Sequence, residues 1–136
     1  MNKTVSFLIF ICLIVAFEGC AQNGNQNSET QKIEYHKISA EEAKKILDEN
    51  PKAILLDVRT EAEYKEAHIP GAILLPVSDI KTKAADMLPD KNALILVYCR
   101  SGGRSANAAY QLIALGYTNV YDFGGIINWP YKTEKG

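Results

Sequence analysis

The sequence predicts an α/β domain with a central, mostly parallel sheet of about five strands and helices on both faces. Two predicted strands, 53–58 and 93–98, are apolar runs in which polar and apolar residues do not alternate. Such runs are typical of strands that are buried on both faces of a parallel sheet. Predicted helices alternate with the predicted strands, and this order favours crossover connections between parallel strands.

The first half of the domain contains three predicted strands, 33–38, 53–58 and 72–75. Ser39 and Glu42 have the spacing of a capping box, so a helix is expected to begin after Ser39. Ala43, Ile46 and Leu47 recur at helical spacing, and Asn50-Pro51 ends this helix. A short second helix is predicted over 61–67.

The second half continues the alternation with a helix over 78–88, which Pro89-Asp90 ends. The strand 93–98 follows, and then a helix over 105–115 with Gly116 as its C-terminal stop. A last short strand over 119–121 and a helical turn over 125–129 complete the domain. Trp129, within that turn, is expected in the core.

Composition narrows the class of protein. The chain has 136 residues, which is room for one ordinary domain, and a domain of this size can be a monomer. It has 15 Lys and Arg against 16 Asp and Glu, for a formal net charge of -1. This balance argues against a nucleic-acid partner, which usually requires a clustered basic excess.

The N-terminal segment has the pattern of an export signal. Lys3 precedes an apolar run over 5–17, which is shorter than the roughly 20 apolar residues of a membrane-spanning helix. Gly19-Cys20 resembles the lipobox of bacterial lipoproteins, in which the cysteine is lipidated. Ordinary cleavage and an uncleaved anchor are the alternatives.

These features divide the chain into a signal peptide over 1–20, a flexible polar tether over 21–31 and a folded domain over 32–136. The expected location is the bacterial cell envelope. A lipid on Cys20 would anchor the domain to a membrane there, facing the periplasm or the cell surface.

Reactive residue types lie where two predicted strands end. In open parallel sheets the ligand site lies at the carboxyl ends of the strands. Cys99 directly follows one strand and precedes a helix, while Asp57 and Arg59 lie at the end of another. Gly102 and Gly103 allow the backbone to turn several N–H groups toward one point, which binds anions and favours a thiolate.

Four motifs in order along the chain resemble the rhodanese family over about residues 33–130. Cys99-Arg100-Ser101-Gly102-Gly103-Arg104-Ser105 resembles the active-site loop of single-domain rhodaneses. The other motifs are Leu56-Asp57-Val58-Arg59 with Glu63-Tyr64, then His68-Ile69-Pro70-Gly71-Ala72, and finally Gly116-Tyr117 with Gly124-Gly125 and Trp129.

The resemblance implies a sulfurtransferase that needs no metal or organic cofactor. The Cys99 thiolate would take the outer sulfur of thiosulfate or a related small anionic donor, and a thiol or cyanide would accept it from the Cys99 persulfide. The substrate-binding residues would be Arg100, Ser101, Gly102, Gly103, Arg104 and Ser105, with both arginines binding the anion. Asp57 and Arg59 would support the site or form a structural ion pair, and His68 would order a turn.

Two other functions remain open from the sequence. The domain could be a non-catalytic persulfide carrier or partner-docking module, which would also need Cys99. It could instead be a phosphatase or arsenate reductase on the same fold. Phosphatases have an arginine six residues after the cysteine, where this chain has Ser105. Without Cys12 and Cys20, no second thiol would remain for disulfide chemistry.

Overall fold

The computed structural model describes residues 35–136, so the predicted signal peptide, the tether and Cys20 lie outside the described residues. The five strands are β1 (His36–Lys37), β2 (Ile54–Asp57), β3 (Ile73–Leu74), β4 (Ile95–Cys99) and β5 (Val120–Gly125). The four α-helices are α1 (Ala40–Glu49), α2 (Glu61–Glu66), α3 (Ile80–Met87) and α4 (Gly103–Ala114). Short 3-10 turns span Val77–Asp79 and Ile126–Asn128.

The strands form one sheet in the order β1-β5-β4-β2-β3, and every neighbouring pair is parallel. This confirms the predicted fold class. Because β4 lies between β2 and β5, the chain ends of three strands meet around the residue that ends β4. The register shifts between Val97 and Cys99, where β4 reaches the end of β5.

Apolar side chains pack on both faces of the sheet. On one face, α3 and α4 cover the sheet, with Ile80 and Leu112 in the same buried cluster as Val97. On the other, α1 contributes Ala43 to a cluster that contains Leu96. Trp129 belongs to this second cluster and is 8% exposed, which confirms its place in the core.

Local signals set several element boundaries. The Ser39 hydroxyl accepts a hydrogen bond from the Glu42 N–H (3.1 Å), and the Glu42 carboxylate accepts one from the Ser39 N–H (2.8 Å). This is the predicted capping box at the start of α1. Thr60 and Glu63 form a second capping box at the start of α2, which the sequence analysis did not identify.

Other boundaries differ from the predictions. The last strand does not end at residue 121 but runs on to Gly125, because Asp122 continues the ladder opposite Val97 and Gly125 pairs with Cys99. Cys99 is therefore the last residue of β4 and does not follow it. The fourth helix begins at Gly103, two residues earlier than expected, since Gly102 turns the chain with a left-handed φ of 114°.

Within the described residues, none of the helices combines the length and apolar character that crossing a membrane requires.

Candidate active site

The Cys99 thiol lies at the carboxyl edge of the sheet, on the face that α3 and α4 cover. It is 1% exposed and belongs to the same buried cluster as Val97. Asp57 ends the neighbouring strand β2, and Gly125 ends β5 on the other side. The structure therefore brings together the ends of β2 and β4, as the sequence predicted, and adds the end of β5, which it did not predict.

The loop that follows Cys99 surrounds its sulfur with hydrogen-bond donors. The Gly102 N–H donates to Sγ at 3.0 Å, and the Ser105 hydroxyl lies 3.6 Å from Sγ. Burial by itself raises the pKa of Cys99, but hydrogen bonds from the Ser105 hydroxyl and from the N–H groups of Ser105, Gly102 and Ser101 outweigh it. The net effect is a pKa below that of an ordinary thiol, which favours the nucleophilic thiolate.

Ser105 connects the loop to the end of β5. Its hydroxyl oxygen lies 3.0 Å from the Gly102 carbonyl and 3.2 Å from the Gly124 carbonyl, in addition to the Cys99 sulfur. The one proton of the Ser105 hydroxyl is directed to the two carbonyls, while the neutral Cys99 thiol donates its own proton to the Ser105 oxygen. When Cys99 is a thiolate, Ser105 can donate that proton to the charged sulfur.

Gly125 lets the end of β5 approach the loop closely, whereas Gly102 is needed for its backbone conformation. A Cβ on Gly125 would lie 2.1 Å from the Arg100 carbonyl oxygen, a separation that no side chain tolerates. A Cβ on Gly102 would lie 3.6 Å from the Gly124 Cα, and the φ of 114° at Gly102 already favours glycine. Gly125, which entered the sequence analysis only as part of a motif, is thus a positioning residue for the loop.

Arg104 does not project freely from the loop. Its two terminal nitrogens bind the two carboxylate oxygens of Glu63 at 2.6 and 2.7 Å. This pairing lowers the pKa of Glu63 to about 2, chiefly through the hydrogen bonds from Arg104, and it raises the pKa of Arg104. The predicted anion-binding arginine is therefore already paired with a carboxylate, and no local sequence signal connects two residues that are 41 positions apart.

Arg100, the other arginine of the loop, is exposed. It takes part in none of the ion pairs found among residues 35–136. Of the two arginines predicted to bind an anion, Arg100 is the one whose charge is not already matched within that part of the chain.

Asp57 and Arg59 form a buried ion pair beside the site. The Arg59 Nη2 donates to the Asp57 carboxylate at 2.7 Å and to the Ala67 carbonyl at 2.6 Å. The Arg59 side chain is 6% exposed and the Asp57 side chain is 0% exposed. Their hydrogen bonds hold the segment after β2, so a contribution to the site would come through the position of α2. This arrangement is the structural ion pair that the sequence analysis left as an alternative.

His68 lies in a structural setting. Its ring stacks on Tyr64 at 3.8 Å between centroids, and its Nδ1 lies 2.9 Å from the Tyr64 carbonyl oxygen. The backbone of His68 also pairs with Glu134 in an isolated antiparallel bridge. These contacts agree with the expectation that His68 orders a turn.

Asp122 is a buried carboxylate that sequence reasoning missed. It is 1% exposed, and its Oδ1 accepts a hydrogen bond from the Gly124 N–H at 2.9 Å. Gly124 in turn presents its carbonyl to Ser105. Asp122 therefore holds in place the end of β5, which contacts the Cys99 loop. In the sequence, the one indication of this role is that a polar residue follows a short predicted strand.

Comparison with known proteins identifies the family. Residues 39–130 match the family described as the rhodanese-like domain. Thiosulfate sulfurtransferase PspE of Escherichia coli is 39% identical over 81 residues, which cover 60% of this chain and 78% of PspE. The putative sulfur carrier protein YrkF of Bacillus subtilis is 32% identical over 114 residues, covering 83% of this chain but only 60% of YrkF.

A solved structure gives the same result. The structure titled "rhodanese with anions from E. coli" superimposes with a TM-score of 0.58 at 36% identity, covering 62% of this chain and 99% of that one. The matched family segment contains the whole Cys99 loop as well as the ends of β2 and β5. The chain belongs to the rhodanese-like domain family, which includes sulfurtransferases.

Proposed function

We propose that this protein is a sulfurtransferase that moves a sulfane sulfur from thiosulfate or a related donor to a thiol or cyanide acceptor. The observation that carries the proposal is the contact of the Gly102 N–H with the Cys99 sulfur at 3.0 Å, in a loop that lowers the pKa of this thiol. The similarity to thiosulfate sulfurtransferase PspE supports the same substrate class.

The proposed reaction has two displacement steps. The Cys99 thiolate attacks the outer sulfur of thiosulfate, a new S–S bond forms, and the old S–S bond breaks with its electron pair leaving on sulfite. The loop N–H groups then hold the persulfide. An acceptor thiolate or cyanide attacks the outer sulfur, and the electron pair of the Cys99–sulfur bond returns to Cys99. The chemistry requires no metal or organic cofactor.

In this proposal, different residues of the loop have different roles. Ser101, Gly102 and Ser105 supply hydrogen bonds to the reacting sulfur, since each contributes to the lowered pKa of Cys99. Gly103 begins α4 and so places the helix N-terminus beside the loop. Arg100 supplies positive charge near the donor, whereas Arg104 stays paired with Glu63. Asp57 and Arg59 support the site by holding the segment after β2 in place.

Thiocyanate formation tests the enzyme directly. The full chain is incubated with thiosulfate and cyanide, and Cys99→Ser is the matched control because it removes the nucleophile with little change in volume. We expect thiocyanate at many turnovers per wild-type chain and none above background with Cys99→Ser. Equal rates for the two proteins would refute the proposal.

A sulfur carrier is the second candidate. The similarity to the putative sulfur carrier protein YrkF favours it, as does the burial of Cys99, which limits access by free acceptors. A carrier would retain one sulfur atom on Cys99 without turnover by small molecules. Single loading of the protein without thiocyanate release would therefore select the carrier.

We also propose that the protein is exported and anchored through a lipid on Cys20, with residues 21–31 as a tether. The proposal rests on the apolar run 5–17 and on Gly19-Cys20. Expression in bacteria with a labelled fatty acid tests it. Label in the wild type and none in Cys20→Ser is expected, whereas an unlabelled wild-type protein would contradict lipidation.

A further inference from the structure

Glu63, a residue of α2, neutralises the positive charge of Arg104 beside the Cys99 loop. Glu63 binds both terminal nitrogens of Arg104, at 2.6 and 2.7 Å, in the two-pronged geometry that carboxylates and guanidinium groups prefer. The carboxylate is itself held in place, because the Thr60 N–H and hydroxyl donate to it at 3.0 and 2.9 Å. Arg104 therefore meets a preformed partner.

This pairing changes the charge that a sulfur donor would encounter. The Asp57 and Arg59 charges cancel in their buried pair, and the Glu63 and Arg104 charges cancel in theirs. The remaining charged groups of the loop are the exposed Arg100 and, once it is deprotonated, the Cys99 thiolate, whose pKa the loop lowers. A dianion approaching this thiolate would meet a single unmatched arginine, whereas a donor of lower charge would have less repulsion to overcome.

We propose that Glu63 is a specificity-determining residue that withholds Arg104 from the donor, so that the site favours organic persulfides of at most one negative charge over dianionic thiosulfate. This inference rests on the proposed sulfur transfer through Cys99 and specifies its donor class. It predicts that removing the Glu63 charge strengthens the binding of thiosulfate.

The favoured donor reacts in one balanced step. The Cys99 thiolate attacks the outer sulfur of a protonated persulfide, R–S–SH, and a Cys99–sulfur bond forms. The S–S bond of the donor breaks, and its electron pair leaves on the inner sulfur as the thiolate R–S⁻. The proton stays on the outer sulfur, so the step needs no additional oxidant or reductant.

An opposite role for Glu63 makes an opposite prediction. If the carboxylate aligned Arg104 so that the arginine could bind the donor, removing the carboxylate charge would weaken the binding of thiosulfate. Glu63→Gln separates the two roles, since glutamine at this position retains the capping box at the start of α2. The substitution therefore removes the charge while leaving the local fold intact.

Steady-state kinetics with two donors provide the first test. For Glu63→Gln we expect the KM for thiosulfate to fall about fivefold, on the scale of a partly exposed ion pair, with kcat within twofold of the wild type. The KM for 2-mercaptoethanol persulfide should change less than twofold. Glu61→Gln is the matched control, because Glu61 lies on the same helix but pairs with the exposed Lys65.

A thiosulfate KM that rises or stays the same in Glu63→Gln would overturn the inference. Binding measurements without turnover separate this failure from failure of the proposed function. In a Cys99→Ser background, calorimetry should show that Glu63→Gln lowers the Kd for thiosulfate about fivefold, and that adding Arg104→Ala abolishes the gain. The same gain in a protein whose wild type neither turns over nor loads sulfur would show that Glu63 withholds Arg104 from an anion, while the proposed sulfur transfer itself would be rejected.

Discussion

Gly125 offers the sharpest perturbation of the loop, because its backbone tolerates alanine and its surroundings do not. Its φ of -127° and ψ of 145° are ordinary extended values. An added Cβ would nevertheless lie 2.1 Å from the Arg100 carbonyl oxygen and 2.7 Å from the Ser101 Cα. Gly125→Ala therefore acts through steric contact with the Cys99 loop alone.

The size of the effect follows from these distances. Ordinary van der Waals contact begins at 3.4 Å, so the loop or the end of β5 must move by more than 1 Å. Overpacking of this kind costs about 1–3 kcal/mol in stability. A displacement of about 1 Å in a reacting group can cost about 100-fold in rate. The Gly102 N–H contact with Sγ, at 3.0 Å, is too short to survive such a shift unchanged.

The assay measures the Cys99 thiol directly. Alkylation of the Cys99 peptide by iodoacetamide, followed by mass spectrometry over a range of pH, gives the pKa of the thiol. We expect Gly125→Ala to raise the pKa of Cys99 toward that of an ordinary thiol, since it displaces the N–H donors, and to reduce sulfur transfer about 100-fold.

Gly71→Ala is the control for stability loss. Gly71 has a φ of 83° and open space around its would-be Cβ, so alanine there strains the backbone by about 1–2 kcal/mol and meets no neighbour. It should destabilise the fold to a similar degree while leaving the pKa of Cys99 at its wild-type value. Wild-type pKa and turnover in Gly125→Ala would refute the steric reasoning.

Three further substitutions test separate parts of the site. Ser105→Ala should raise the pKa of Cys99, because it removes one hydrogen bond to the thiolate, and an unchanged alkylation profile would contradict this. Glu63→Gln should lower the free energy of unfolding by about 1 kcal/mol above pH 4.5, the ordinary pKa of this carboxyl, and the difference should vanish as the pH falls toward 2. A difference independent of pH in urea titrations would count against the ion pair. His68→Ala should destabilise the fold by about 1–3 kcal/mol in the same titrations, since the stacked ring is lost, and a changed pKa of Cys99 would show that His68 serves the site.

Much of the fold was predictable because its signals are local. The strands β2 and β4 could be predicted from their own apolar residues, without reference to the rest of the chain. The capping box of Ser39 and Glu42 formed as expected. The alternation of strand and helix then allowed few arrangements other than a parallel sheet.

The end of β5 was not predictable in this way. Asp122 and the pair Gly124-Gly125 indicate a turn when the sequence is read locally. The strand continues through them because the parallel ladder with β4 extends to Cys99, and because the loop after Cys99 leaves room only for hydrogen at Gly125. Both reasons depend on residues more than 20 positions away.

The candidate site was likewise predictable where its residues are close in sequence and not where they are distant. Cys99 and its donors lie within seven consecutive residues, so the spacing of glycine and serine was enough to predict the nest around the thiol. The pairing of Arg104 with Glu63 depends on how β2 and β4 lie side by side in the sheet. The sequence therefore predicts Arg104 as a substrate-binding residue, whereas in the structure the carboxylate of Glu63 binds it.

Persulfide formation on Cys99 is the most direct test of sulfur transfer by this protein. The full chain is mixed with a limiting amount of sulfane donor, digested and analysed by mass spectrometry before and after cyanide is added. We predict one added sulfur atom on the Cys99 peptide, its loss on addition of cyanide, and no loading at this position in Cys99→Ser. A Cys99 peptide that gains no sulfur from thiosulfate or from an organic persulfide would contradict the central claim.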